Sequence, residues 1–540
     1  MKPRTRFGET TFDNCVTFMV DGEENFRLKY QKINEARNSI YIANYDLDPN
    51  LRLIRGDNVL PSLQIHGLIA SPCGSESLGS YTQNSVDGAS DDFDYTLQNL
   101  LIQKAKQKVD IKILVWEPRP IVRKLPNSRK RGLEERRKKI EGILEVAKRC
   151  GIEDYLTIRL DSKAPALTSG FHEKIMIIDN QIAFCGGQDL SLAKWDTSTH
   201  EFDNQLRDPG GEPWHDIHAM VKGPIVWDLI YHFNQRWVYS IWKDIRQVKK
   251  IVKPSSIGSY LSSTSPSAVL SFTGEGNTEI TALRTWKQLS ESKNNDQDLD
   301  YDSSIQGSES VCAWYDTMFS KAKESIYIED QFLFQDKAIT KILVNRLREQ
   351  KDLKVITVGP MEPNLPGFVF GTISKESINH INSNLAALRK AGENRVRTYS
   401  LISQHNTFKD RRKQIYIHSK LMIVDDKWIT IGSANTDKDG LEYSTEFDLG
   451  IVSSDLSPQL RVKLWREHLK TNAVDSSSEQ SNLYNFEEGF KAWEQFAEEN
   501  GKRVKRHESI FGHVYYYNFE EMNYPPPYPQ AKGGNKFRFF

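Results

Sequence analysis

The chain has 540 residues, with 72 basic and 72 acidic side chains and a formal net charge of zero. This length provides for two or more domains, and the balanced charge argues against a dedicated nucleic-acid-binding protein, which is usually basic. The five cysteines are scattered without the spacing of a metal knuckle or a redox motif, so we expect neither a disulfide framework nor a zinc site.

The N-terminal residues MKPRTR carry charge but no apolar stretch, so the sequence predicts no secretory signal. No run approaches the roughly 18 apolar residues of a membrane-spanning helix. We therefore expect a cytoplasmic protein that meets membranes only from their surface.

The two halves of the chain contain similar segments in the same order. The segments SIYIANYDLD (39–48) and SIYIEDQFLF (325–334) each follow an amphipathic segment, a pattern that predicts a helix leading into an apolar strand. Two later segments, at 171–190 and 417–436, are identical at six positions. The sequence therefore predicts an α/β protein of two duplicated α/β/α sandwich lobes, with one active site between them.

The domain boundaries follow from composition. A stretch rich in Ser, Pro and Gly at 253–268 has the composition of a linker. We expect an N-terminal lobe (1–252), a linker with the start of the second lobe (253–310), a C-terminal lobe (311–510) and a tail (511–540) that contains YPPPYP. The segments ILVWEP (113–118) and VITVGP (355–360) are predicted buried strands.

A basic run lies at 119–139, where ten Lys or Arg residues accompany two Glu. A solvated helix face is the usual explanation of such a run. The alternative is a patch that attracts anionic lipid headgroups, and the sequence leaves both open.

The repeated segments contain the pattern His-x-Lys-x4-Asp, with a Gly fourteen residues after each His and a short polar residue seventeen after it. The residues are His172, Lys174, Asp179, Gly186 and Asp189 in the first copy, and His418, Lys420, Asp425, Gly432 and Asn435 in the second. Residues two apart on a strand share a face, so each His points the same way as its Lys. We expect the Gly turns to let the backbone approach a ligand closely.

Two such faces brought together form a cleft with two imidazoles and two ammonium groups. The lysines can neutralise the oxygens of a phosphate diester, and the histidines can divide the nucleophile and acid roles. A single His-x-Lys strand is usually structural, but its duplication with matching turns favours function.

The sequence resembles the phospholipase D superfamily, whose members carry two copies of this HxKxxxxD motif. The resemblance extends from about residue 15 to about residue 470. It is closest to the catalytic core of bacterial and plant phospholipases D, on the segments CGGQDLSLAKWDTSTH (185–200), PWHDIHAMVKGPIVWDL (213–229), SIYIEDQF, GSAN and LWREHL.

The resemblance implies roles for the motif residues. The catalytic set contains His172, Lys174, Asp179, His418, Lys420 and Asp425. Within it the histidines are the nucleophile and the general acid/base, and we predict that His172 is the nucleophile. The lysines bind phosphate oxygens, whereas the aspartates fix the loops.

Other residues are expected to bind phosphate or orient the catalytic groups. They are Asn435 and Ser433 of the GSAN turn, together with Asp189, whose negative charge puts phosphate binding in doubt. An acidic residue commonly orients a catalytic His through Nδ1. We expect Asp216 to orient His172 and Glu446 to orient His418.

The resemblance implies hydrolysis of the distal phosphodiester of a phospholipid through a phosphohistidine, with transfer to alcohols. We expect no required cofactor and no metal, calcium serving only in lipid binding, and a monomer that acts at the membrane surface without nucleic acid. The alternatives are a cardiolipin or other phospholipid synthase, a nuclease, and a non-catalytic lipid-binding relative.

Overall fold

The computed structural model describes residues 8–56, 69–70, 95–117, 127–161, 170–247, 276–286, 308–361, 371–470 and 483–517. The predicted linker at 253–268 and the YPPPYP segment lie outside these residues, as does the first part of the basic run. The remainder of that run lies in a helix that begins at Asn127.

The first lobe is built from nine strands and four helices among the described residues. They are β1 (Thr10–Val20), α1 (Asp21–Glu35), β2 (Ser39–Asn44), β3 (Ile69–Ala70), α2 (Leu97–Lys106), β4 (Asp110–Trp116), α3 (Asn127–Arg149), β5 (Leu156–Asp161), β6 (Lys174–Ile178), β7 (Ile182–Gly186), β8 (Trp214–His215), β9 (Ile217–Lys222) and α4 (Val226–Gln247).

The second lobe repeats this plan and adds elements at its end. They are β10 (Thr278–Trp286), β11 (Ser308–Glu309), α5 (Ser310–Lys321), β12 (Ser325–Asp330), α6 (Lys337–Glu349), β13 (Lys354–Val358), α7 (Gly371–Gly392), β14 (Val396–Gln404), β15 (Arg412–Ile417), β16 (Lys420–Val424), β17 (Trp428–Gly432), β18 (Glu446–Val452), α8 (Leu456–Leu469), α9 (Phe486–Lys505) and β19 (Val514–Tyr516).

The two sheets share one strand order, which confirms the predicted duplication. The first sheet runs β5-β4-β2-β6-β7-β9-β1, and the second runs β14-β13-β12-β16-β17-β18-β10. In each sheet the first three strands are parallel and the motif strand follows antiparallel. Strands β1 and β10 pair with each other, so the sheets meet along a shared edge.

Three hydrophobic clusters fill the layers. One contains side chains of both sheets with α4, α8 and α9, a second lies under α1, α2 and α3, and a third lies under α5, α6 and α7. The central strands are buried on both faces, which explains why the segments at 39–44 and 325–330 are nearly continuous apolar runs. The predicted α/β/α sandwich lobes are confirmed.

Two features differ from the sequence-based picture. Strand β19 lies in the predicted tail yet pairs with β14, because three residues are too short to show a period in the sequence. Cys15 of β1 is disulfide-bonded, whereas Cys150, Cys185 and Cys312 are free. No helix among the described residues is long and apolar enough to cross a membrane.

Candidate active site between the two lobes

Each motif histidine is held by the backbone of the opposite lobe. The His172 N–H donates to the Thr445 carbonyl at 2.8 Å, and the Thr445 N–H donates to the Gly170 carbonyl at 2.9 Å. In the other direction, the His418 N–H donates to the His215 carbonyl at 2.9 Å, where β15 and β8 pair in parallel. Each motif strand is therefore guided into the cleft by a segment of its partner lobe.

The acidic partners of the histidines are crossed relative to the expectation. His172 Nδ1 lies 3.1 Å from Glu446 Oε2 and 3.0 Å from the Ser433 carbonyl oxygen. His418 Nδ1 lies 2.7 Å from Asp216 Oδ2. The predicted pairs, Asp216 with His172 and Glu446 with His418, are wrong. The reason is the interlobe backbone pairing, which brings the segment at 445–446 to His172 and that at 215–216 to His418.

The two lysines lie behind their histidines in matching positions. Lys174 Nζ donates to the His172 carbonyl at 2.7 Å, and Lys420 Nζ donates to the His418 carbonyl. Lys420 also donates to Gln331 Oε1 at 3.0 Å. Both lysines are buried, at 1% exposure, so the site keeps two cations where water screens them little.

The motif aspartates point away from this chemistry. Asp179 accepts hydrogen bonds from the backbone N–H groups of residues 37, 38 and 39. Asp425 accepts equivalent bonds from the N–H groups of residues 323, 324 and 325. Each aspartate thus ties the turn after its motif strand to the start of the antiparallel neighbouring strand, β2 or β12, in keeping with the loop-fixing role rather than a catalytic one.

The two residues that follow the Gly turns differ in their contacts. Asp189 Oδ1 lies 3.4 Å from Lys174 Nζ and accepts bonds from the Asn44 side chain and the Asp46 N–H. Asn435 is 6% exposed, and its Oδ1 has no hydrogen-bond partner among the described residues. Asp189 therefore holds a lysine in place, whereas Asn435 retains the capacity to bind a ligand.

The Gly residues of the turns accommodate protein rather than ligand. A Cβ atom at Gly186 would lie 2.5 Å from His218 Nδ1, and one at Gly187 or Gly432 would collide with Asp216 or Asp448 respectively. Asp448 Oδ1 accepts bonds from the N–H groups of Ser433 and Ala434. The glycines therefore permit close packing against His218, Asp216 and Asp448, and the close approach of a ligand to the backbone of these turns stays a prediction.

The electrostatic environment keeps both imidazoles neutral before substrate binds. Burial and the nearby lysines lower the pKa of His172 and of His418 well below the usual value. Burial also raises the pKa of Asp216 to about 6, although Lys420 opposes this. The pKa of Lys420 falls to about 8 because burial outweighs its carboxylate neighbours.

The surroundings of Glu446 differ from those of Asp216. Burial raises the pKa of Glu446 well above its usual value, and Ser433 Oγ donates a hydrogen bond to its Oε2 at 2.6 Å. Asp216, which faces His418, is therefore ionised over most of the neutral range, whereas burial disfavours a negative charge on Glu446, which faces His172.

Aromatic side chains that sequence reasoning missed flank both histidines. The Tyr45 ring lies 4.8 Å from that of His172, and the Trp214 ring lies 4.9 Å from that of His418. Trp214 stacks on Tyr416 at 4.8 Å and has Lys194 Nζ 3.5 Å from its ring centre. Tyr45 follows the SIYIAN segment as Gln331 follows SIYIED, so the repeat itself marks this position beside each motif.

The chain is similar to known proteins over most of its length. A family model described as "Phospholipase D" matches residues 85–340, and one described as "Cardiolipin synthase, PLD-like domain" matches residues 315–467. The chain is 25% identical to phospholipase D alpha 4 of Arabidopsis thaliana over 84% of its own length and 65% of the relative. It is 24% identical to phospholipase D zeta 2 of the same plant over 86% of its length and 54% of the relative.

The chain therefore spans about 54% to 65% of the length of these relatives. Among solved structures, phosphatidylserine synthase of Haemophilus influenzae aligns with a TM-score of 0.50 at 12% identity, covering 92% of this chain and 95% of that one. At this identity the likeness concerns the fold. With two motif strands in equivalent places of two like sheets and both family models matched in succession, the chain belongs to the phospholipase D superfamily.

Proposed function

We propose that this protein is a phospholipase D that hydrolyses the distal phosphodiester of glycerophospholipids to phosphatidic acid and the free headgroup alcohol. The observation that carries the proposal is the pair of His–acid dyads, each completed across the lobe interface and each backed by a lysine. This arrangement supplies a nucleophile, a proton donor and two cations for one phosphate.

In the first step, His172 Nε2 attacks phosphorus and the bond from phosphorus to the headgroup oxygen breaks. His418 delivers its proton to that oxygen, so the headgroup leaves as a neutral alcohol. Lys174, Lys420 and Asn435 hold the non-bridging oxygens, where charge builds up in the transition state. Binding of the anionic phosphate offsets the lysine charges, which raises the pKa of His418 and favours its protonated form.

In the second step, the phosphorus–nitrogen bond of phospho-His172 is cleaved by water. His418, now neutral, removes a proton from that water, and phosphatidic acid leaves with His172 restored. A primary alcohol in place of water gives the corresponding phosphatidyl alcohol by the same route.

The dyad contacts support His172 as the nucleophile, on grounds different from the sequence-based ones. Asp216, ionised and 2.7 Å from His418 Nδ1, stabilises an imidazolium at His418. His172 instead shares its Nδ1–H between the Ser433 carbonyl and Glu446, whose raised pKa weakens its pull on a proton. His172 therefore keeps its Nε2 lone pair while His418 carries the transferable proton.

We further propose a monomer that acts at the membrane surface without nucleic acid, because the duplicated lobes complete one site within one chain. The domain limits, including the linker at 253–268, are proposed on composition. The predicted cytoplasmic compartment has a contrary observation, since a disulfide at Cys15 is more typical of oxidising compartments.

The test is incubation of purified protein with mixed phospholipid vesicles, scored for phosphatidic acid, with a DNA substrate in parallel. We expect headgroup release and no DNA cleavage. Formation of cardiolipin in place of phosphatidic acid would support the synthase alternative. Lipid binding without any turnover would support the non-catalytic one.

A further inference from the structure

A buried cluster of two imidazoles and two carboxylates adjoins the dyads and takes no part in the proposed chemistry. His215 Nδ1 lies 2.9 Å from Asp21 Oδ1 and 3.0 Å from Glu467 Oε1. His200 Nε2 lies 3.2 Å from Glu467 Oε1 and 3.4 Å from Asp21 Oδ2. The four side chains are at most 4% exposed. We propose that these four residues bind one Zn²⁺ ion.

The outer nitrogen of each imidazole is already engaged. His200 Nδ1 lies 2.9 Å from Asp196 Oδ2, and His215 Nε2 lies 2.9 Å from Glu329 Oε2. Metal-binding histidines commonly donate their second N–H to a carboxylate in this way. With the outer nitrogens facing those carboxylates, the inner nitrogen of each imidazole is the one directed at Asp21 and Glu467.

Lone pairs facing carboxylates at these distances need a positive charge between them, supplied either by two extra protons or by one divalent cation. Protons would make hydrogen bonds, yet His215 Nδ1 and Asp21 Oδ2 have no hydrogen-bond partner among the described residues. His200 Nε2 has hydrogen-bond geometry toward Glu467 Oε1. The contacts of His215 Nδ1 with Asp21 and Glu467 are short without that geometry, which favours ligands arranged around a common centre.

The neighbouring carboxylate, Glu329, has hydrogen-bond donors directed at both of its oxygens. Its two oxygens accept bonds from four donors, which are His215, His468, Ser419 and Tyr327. Asp21 and Glu467 have far fewer donors directed at them in the part of the chain that the structure describes. Hydrogen bonds from protein donors therefore account for the negative charge of Glu329. The smaller number of such donors at Asp21 and Glu467 favours a bound cation between them and the two imidazoles.

The distances and ligand types select zinc. Four ligands at 2.0–2.1 Å in a tetrahedron are separated by about 3.3 Å. The four distances between an imidazole nitrogen and a carboxylate oxygen, 2.9–3.4 Å, are close to this value, with Asp21 facing the two imidazoles through different oxygens. Two imidazole nitrogens argue against calcium and magnesium, which prefer oxygen ligands alone. The four ligands come from distant parts of the chain, so the sequence contains no motif spacing that predicts them. A zinc site here departs from the expectation of no metal.

The site would link the lobes beside the dyad of His418. Glu467 belongs to α8 of the second lobe, whereas the other three ligands belong to the first. The Asp21 N–H donates to the Asp216 carbonyl at 2.8 Å, and the Asp216 N–H donates to Asp21 Oδ1 at 3.3 Å. A metal at Asp21 would therefore fix the strand segment that carries Asp216.

The metal content of the full chain, purified without chelators, tests this by inductively coupled plasma mass spectrometry. We expect about one zinc per chain. Protein stripped of metal should regain thermal stability on addition of Zn²⁺ alone, and Co²⁺ in its place should give the visible absorption bands of a four-coordinate site. These readouts need no substrate, so they stand or fall separately from the phospholipase proposal.

The Glu467→Gln variant should lower the zinc content at least tenfold. His513→Gln is the matched control, because His513 is buried with its ring 5.5 Å from that of His200 but is not a member of the cluster, and it should retain the metal. Wild-type protein without bound metal, whose melting temperature Zn²⁺, Mn²⁺ and Co²⁺ all leave unchanged, would overturn the proposal and identify the cluster as a network of two imidazolium ions. Because that measurement uses the unmodified chain, it decides the matter even if a variant fails to fold.

Discussion

The crossed dyads predict that Asp216→Asn impairs the step that needs a proton and spares the step that does not. Asparagine keeps the size of the side chain but removes the charge 2.7 Å from His418 Nδ1. His418 then loses the stabilisation of its imidazolium form. With a natural phospholipid, whose headgroup alcohol leaves poorly without a proton, we expect turnover to fall.

The size of the effect follows from the contact. A hydrogen bond to a charged group contributes about 1.5–3 kcal/mol, and each 1.36 kcal/mol on a barrier is about tenfold in rate. Turnover of phosphatidylcholine should therefore fall by about 10- to 150-fold. Release of p-nitrophenol from phosphatidyl-p-nitrophenol in the first turnover should change by less than about threefold, because this leaving group needs no proton.

The assay is a rapid-quench measurement of the p-nitrophenol burst, followed by peptide mapping of the acid-labile phosphate. In Asp216→Asn the phosphorylated peptide should accumulate and contain His172, since the second step still needs His418. Glu446→Gln serves as the matched variant for the other dyad and should slow both substrates to a similar degree. A burst in Asp216→Asn that is slowed as much as phosphatidylcholine turnover would refute the reasoning. It would mean that Asp216 supports the histidine that attacks phosphorus.

Three further results are expected. Ala at His172 or His418 should nearly abolish turnover, and the double variant should cost little more than either single one, because the dyads act as one centre; fully multiplicative losses would contradict a joint site. The value of kcat/KM should fall below about pH 6 as Asp216 gains a proton and above about pH 8 as Lys420 loses one. The Lys420→Arg variant should shift the alkaline limb of this profile to higher pH and leave the acid limb in place. Adding a primary alcohol should divert product to the phosphatidyl alcohol, while hydrolysis alone at high alcohol concentration would indicate direct attack by water.

Much of the fold was predictable because the repeat is local. The segments at 39–44 and 325–330 are apolar on both faces, and this pattern identifies a central strand without knowledge of its neighbours. The motif spacing likewise places His172 beside Lys174 and His418 beside Lys420, since strand geometry alone fixes residues two apart.

The orientation of the two lobes was beyond the sequence, and with it the identity of the acid that faces each histidine. Asp216 lies in the same half of the chain as His172, so proximity along the chain favoured a pair that the fold does not make. The contact depends on the parallel bridge between β8 and β15, and two paired residues are too few to leave a pattern in the sequence. The cluster at Asp21 was missed for the same reason, since its members meet only when α1, β8 and α8 converge.

The crossed dyads also limit how the molecule can move. A hinge that opened the cleft would withdraw Asp216 from His418 and Glu446 from His172 in a single motion, and it would break the backbone bonds at Thr445 and His215 that guide the motif strands. Domain closure of the kind that many two-lobed enzymes use is therefore unavailable between these sheets. Substrate must enter a cleft of fixed width, and the adjustments that admit a lipid and release its headgroup fall to side chains beside the histidines, such as the half-buried Tyr45. Free and inhibitor-bound forms should accordingly superpose as one rigid body.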